Sequence, residues 1–168
     1  MKKLLALITT ALLCVGLCFA KDPVEGFWIS YDEKTNEATA GWKVWVENDK
    51  VYGTILSTKG YPLDAKATGT KGKGPYDDFP QKGTMCEMTT VGTTWIYDLT
   101  KTSEGNWSKG RIVDPSDGNR YKCKMTFHKA DGKKFAKDTL EMRGEIGMGI
   151  GRSQYWLGAT EAEASALR

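Results

Sequence analysis

Gly110 to Cys123, reading G-R-I-V-D-P-S-D-G-N-R-Y-K-C, is the stretch that most restricts what this chain can become. Two runs with strand character, Trp107 to Val113 and Arg120 to Phe127, flank Asp114 to Asn119, which holds five kinds of turn residue. Proline presets one turn dihedral, and Gly118 or Asn119 takes positive φ at little steric cost, so the chain reverses here. The result is a β-hairpin from which an antiparallel meander extends in both directions.

The same punctuation recurs along the chain. Gly26 to Tyr31 reads as a first strand, ended by the polar cluster Asp32 to Glu37. Ala40 to Val46 alternates, with Trp42 and Val44 on one face and Lys43 and Trp45 on the other, the period of a half-buried strand. Val51 to Ser57 returns from a tight turn. Strand character resumes at Met85 to Val91 and Thr94 to Thr100, where simple alternation puts Trp95, Tyr97 and Leu99 on one face. Thr139 to Ile146 and Arg152 to Leu157 supply the last strands, and Glu161 to Leu167 forms a short helix or a frayed tail. Thr58 to Gly83 differs, with five glycines, three prolines and no periodicity. It is a long loop, a solvated insertion or the rim of a pocket.

About eight short strands without a long helix describe an all-β chain, and such chains hide their sheet edges by closing or by pairing sheets. The expected fold is a single antiparallel up-and-down barrel over residues 21–168. Its interior is just wide enough to be packed by side chains or to hold one small ligand.

Residues 1–20 carry Lys2-Lys3, an apolar run from Leu4 to Phe19 and the ending Leu17-Cys18-Phe19-Ala20, the pattern of a cleavable secretory signal peptide. The apolar run is short for a membrane span. Export would leave the protein periplasmic or secreted. Cleavage after Ala20 removes two lysines and no acid, so the formal charge falls from +3 to about +1. The remaining lysines are scattered among acids, which leaves no basic face for nucleic acid or an anionic membrane.

Cys86 and Cys123 remain after cleavage, a candidate disulfide in an oxidising compartment. In a plain meander their strands are separated by two others, too far for a bridge, and two buried thiols are the other outcome. His128, the one histidine, falls on an outward face with no second ligand at metal spacing, so no metal or cofactor is expected. Gly147, Gly149 and Gly151 precede no helix that would bind a phosphate and mark close backbone approach or a bulge. Glu141 and Glu145 lie outward like solvated carboxylates. No stretch reads as a catalytic site.

Aromatic content is what remains. Trp42, Trp95, Tyr121 and Phe127 are the candidate pocket residues, side chains equally suited to filling a core. Trp45, on the polar face between Lys43 and Glu47, is a candidate contact for a sugar or a protein.

Gly26-Phe27-Trp28 resembles the Gly-x-Trp signature of lipocalins and their calycin relatives. That resemblance implies a barrel base closed by Trp28 against an arginine of the last strand, Arg152 or Arg143. A longer pattern is similar to the DUF2147 family of secreted bacterial proteins. It runs through Gly53-Thr54-Ile55, Trp107 to Pro115 with Gly118 and Tyr121-Lys122-Cys123, Arg143-Gly144 with Gly147, and Gly151 to Trp156. It implies a lipocalin-like barrel in the bacterial envelope, with no biochemical role attached. The chain departs from the family pattern at Gly158, where members end in Trp-x-Arg.

Two functions fit these observations. The first is a non-enzymatic binder of a small apolar or amphipathic molecule inside the barrel. The second is a filled barrel that meets envelope glycan or protein through Trp45 and the 58–83 loop. Oligomeric state is left open by the sequence.

Overall fold

The computed structural model describes residues 21–168, and the expected signal peptide lies outside them. Eight antiparallel strands close in chain order into one barrel. They are β1 (Gly26–Tyr31), β2 (Ala38–Glu47), β3 (Lys50–Thr58), β4 (Thr94–Ser103), β5 (Asn106–Val113), β6 (Arg120–His128), β7 (Thr139–Gly147) and β8 (Ile150–Ala159). β8 pairs back onto β1, with Trp28 opposite Gly158, so closure leaves no unpaired edge. The up-and-down barrel expected from the sequence is the fold observed.

The organising hairpin forms as its turn residues demand. Gly118 takes φ +72° and donates its N–H to Asp114 O (2.8 Å), while Asp114 Oδ1 accepts from Ser116 N (2.8 Å). A side chain at Gly118 would also strike Lys73 Cβ at 2.7 Å, so the 58–93 connection is moulded onto this turn.

Met85 to Val91 is not a strand, which corrects the sequence expectation. It holds one 3-10 turn, Met85–Glu87, inside a connection running from Lys59 to Thr93. Its backbone is satisfied within the connection, Ala67 N–H reaching Met88 O (2.9 Å) and Thr90 N–H reaching Ala65 O (2.8 Å). Met85, fully buried, serves as the connection's own core residue. Hydrophobicity there packs a loop rather than a sheet.

That connection covers the outer wall of β4 to β6. Gly53 pairs with Ile96 and Val51 with Leu99, so two steps on β3 meet three on β4. Asp98, at φ +62°, absorbs the extra residue as a β-bulge. The bulge inverts the alternation: Ile96 and Leu99 point inward, whereas Trp95 and Tyr97 point outward beneath the loop. Phe79 packs on both rings at 5.9 and 5.6 Å, and Trp95 Nε1 donates to Thr90 O (2.7 Å).

A five-residue helix, α1 (Glu161–Ser165), follows β8 and lies on the outside of β2, the short helix expected at the C-terminus. Thr160 and Glu163 cap it reciprocally, which starts a helix otherwise too short to persist. Its seat is made by Gly41, where a Cβ would stand 1.7 Å from Ala164 O, and by Ser57 Oγ, which donates to that same oxygen (2.7 Å).

Candidate functional site

The two barrel ends differ because the sequence fills one and leaves the other open. At the closed end Trp28 is buried, donates Nε1–H to Val24 O (3.0 Å) and takes the edge of Phe127 at 6.2 Å. Asp22 accepts from Val24 N (3.2 Å) and Trp107 Nε1 (3.1 Å) on Oδ1, and Lys101 Nζ lies 2.9 Å from its Oδ2. Burial pushes the Asp22 carboxyl up, but the lysine and the two N–H donors outweigh it and hold it below its usual value. Lys101 also sits 5.8 Å over the Trp107 ring, a cation–π contact that seals the base.

Arg152 does not close the barrel, contrary to expectation. It lies at the opposite end, mostly exposed, with Nε 3.4 Å from Glu33 Oε1. Arg143 is no substitute, because its guanidinium is bound to Glu145 Oε1 (2.9 Å) and Gly149 O (2.9 Å). The residue beside Trp28 is Gly158. A Cβ there would meet Asp138 O at 3.2 Å and Trp28 Cζ3 at 3.7 Å, so backbone fills that space. Gly26, the remaining closure candidate, starts β1 at this end opposite Val44.

Above this base the barrel holds an open cavity of about 990 Å³. Its size places it at the upper end of small-molecule sites. The wall is set by inward register positions: Trp42, Ile55, Ile112, Tyr121, Met142 and Trp156. Trp42 and Trp156 stack face to face, 4.7 Å apart at 19°. Trp42 Nε1 donates to Ser30 Oγ (3.1 Å) and Trp156 Nε1 to Gln154 Oε1 (3.2 Å), so both indole N–H groups are satisfied within the wall. Gly144 and Gly151, also lining residues, keep the upper wall thin. The rim carries Asp32, Glu37, Asp114, Lys59 and Arg152, acids outnumbering bases.

Of the four pocket candidates, Trp42 and Tyr121 line this cavity. Trp95 lies outside the barrel because of the Asp98 bulge, and Phe127 belongs to the closed base, packing on Trp28. Trp156, inward by the same alternation, and Gly144, which offers no side chain to mark its face, complete the lining.

Elsewhere the chemistry is spent on structure. A shallower hollow of about 430 Å³ lies outside the barrel by Tyr76, Asp78 and Arg120. There Arg120 stacks on Tyr76 at 4.2 Å and pairs with Asp78, which also accepts from Tyr97 Oη, so the loop is strapped down. Burial pushes the Tyr97 phenol up to about 12. Trp45 is half-buried and stacked on Tyr52 at 5.8 Å. His128 Nε2 lies 3.0 Å from Glu141 Oε2, and Glu141 Oε1 accepts from Ser153 Oγ (2.7 Å). With the carboxylate between Ser153 and His128, the order of groups is not that of a Ser–His–carboxylate triad. Cys86 and Cys123 are free thiols; Cys123 is fully buried and desolvation pushes its pKa far up. Among the described residues no group of His, Cys, Asp and Glu could hold a metal ion, and no helix is long and apolar enough to cross a membrane.

No curated protein matches the chain. Among solved structures, a Helicobacter pylori protein described as "Protein HP1028 from the human pathogen Helicobacter pylori belongs to the lipocalin family" matches with a TM-score of 0.62 at 13% identity. The match covers 83% of this chain and 84% of that one, and it establishes the lipocalin-like fold. The family model described as "Uncharacterized protein conserved in bacteria (DUF2147)" matches residues 26–157, nearly the whole barrel, and the chain therefore belongs to the DUF2147 family.

Proposed function

We propose that this protein binds, without turning it over, a small apolar or amphipathic molecule in the open half of its barrel. The observation that carries this is the cavity of about 990 Å³ walled by the Trp42 and Trp156 stack. Burial of a ligand's apolar surface against these rings supplies roughly 25 cal/mol per Å². Polar groups concentrated at the rim suit a molecule whose polar end stays at the mouth. The alternative, a filled barrel acting through Trp45 and the 58–83 loop, has the cavity against it and Trp45 already engaged by Tyr52.

We place this activity in the bacterial envelope after export. Supporting this is the signal-peptide pattern of residues 1–20, and because Asp22, two residues past the expected cut, is bound to Lys101 and Trp107, cleavage after Ala20 would leave the packed base intact.

Tryptophan fluorescence tests the binding. A naphthalene-sulfonate probe quenches it saturably, and Trp42→Ala weakens the effect about tenfold or more by removing one face of the stack. Absence of saturable quenching in the folded protein would sink the proposal.

A further inference from the structure

The tip of the β7–β8 hairpin carries three large apolar side chains in solvent. Ile146, Met148 and Ile150 are 72%, 98% and 59% exposed, and no charged residue interrupts the run from Ile146 to Gly151. Gly147 pairs with Ile150, which leaves Met148 and Gly149 as a two-residue turn with φ of +45° and +75°. A turn of that geometry favours Asn-Gly, and a methionine in its first position gains nothing locally. Turn chemistry and packing thus give no reason for Met148. Ile146 and Ile150 also line the cavity, as does Tyr61 at 66% exposure, so apolar side chains lead from the tip into the barrel between the charged groups of the rim.

We infer that this tip inserts into the interfacial layer of a lipid bilayer, so that the barrel loads or unloads its ligand at a membrane. The inference rests on the cavity holding an apolar molecule, since such a molecule would then pass from hydrocarbon to the wall without crossing water. A bilayer is favoured over a protein partner because a stable interface needs roughly 800 Å² and 20 to 30 residues per side. A protruding tip with three anchoring side chains and two glycines offers far less. Interfacial insertion needs only apolar side chains reaching about 5 to 10 Å past the headgroups. The acid-rich rim adds no attraction to anionic lipid, so the contact is hydrophobic and indifferent to salt.

The test is flotation of the processed protein with phosphatidylcholine vesicles at low and at 1 M salt. The protein is expected to bind equally at both, Met148→Asp to lose about tenfold or more in partitioning, and Met148→Leu to keep it. Naphthalene-sulfonate binding in solution is expected to be the same in all three proteins. No vesicle binding by the unaltered protein, equal binding by Met148→Asp, or binding that needs anionic lipid and fades with salt each overturns the inference. So does concentration-dependent self-association that Met148→Asp abolishes, since the tip would then dock a second copy. These results leave the probe titration to decide separately whether the cavity binds anything.

Discussion

Replacing Gly144 by leucine separates a binding cavity from a merely loose core. Gly144 lies mid-barrel on β7 opposite Cys123, and a Cβ there would meet Tyr121 Cβ at 3.5 Å and Cγ at 3.7 Å, ordinary contacts. The remaining leucine atoms then enter open cavity rather than neighbouring side chains. Removing a strand glycine contributes about 0.5 to 1 kcal/mol, and half-burying a leucine about 1 kcal/mol more. Gly144→Leu should therefore stabilise the empty protein by about 1 to 2 kcal/mol, raising Tm by roughly 3 to 8 °C. The same atoms occupy ligand volume, so probe affinity should fall about tenfold or more, equivalent to about 1.4 kcal/mol. Thermal melts and fluorescence titrations of one preparation read both effects. A filled barrel predicts the reverse, overpacking at a cost of about 1 to 3 kcal/mol. A lower Tm with probe affinity unchanged would refute the reasoning.

Further outcomes follow from the closed base, the helix seat and the thiols. The Asp22 carboxyl is held below its unfolded pKa, so its contribution is complete above about pH 4 and is lost as pH falls through the folded value. Urea melts should show Asp22→Asn less stable by about 1 to 3 kcal/mol at pH 7, with a shallower loss as pH falls below about 4; an unchanged profile would show that Lys101 and Trp107 do not depend on that charge. Gly41→Ala should drive α1 off β2, because no rotation relieves a Cβ 1.7 Å from Ala164 O, and hydrogen exchange at 161–165 should become unprotected while the barrel strands stay protected. In a thiol-reagent assay the partly exposed Cys86 should react in the folded protein and the buried Cys123 only after denaturation, whereas reagent-inert sulfurs in the unfolded chain would reveal a disulfide.

The barrel was legible because its signals are local. Turn residues at Asp114 to Asn119 and period-two alternation through Trp42 and Val44 fix strands and faces without distant partners. Trp95 was misplaced because one residue, Asp98, adopts positive φ and shifts parity, and aspartate in a strand carries no mark of a bulge. Met85 to Val91 misled because burial beneath a loop produces the same apolar composition as burial in a sheet. Arg152 failed as the closing residue because β8 is longer than expected: the position opposite Trp28 is Gly158, six residues further on. The cavity depends on volumes summed across Trp42, Tyr121, Trp156 and Gly144 from four strands, a quantity no single stretch encodes.

The native mass of the processed protein purified from its own envelope fraction, taken before and after organic extraction, tests the central claim most directly. A carried ligand predicts a mature chain beginning at Lys21 with a discrete added mass that extraction removes and that returns on mixing with the extract. A bare mature mass before extraction, with none regained from the extract, would contradict it.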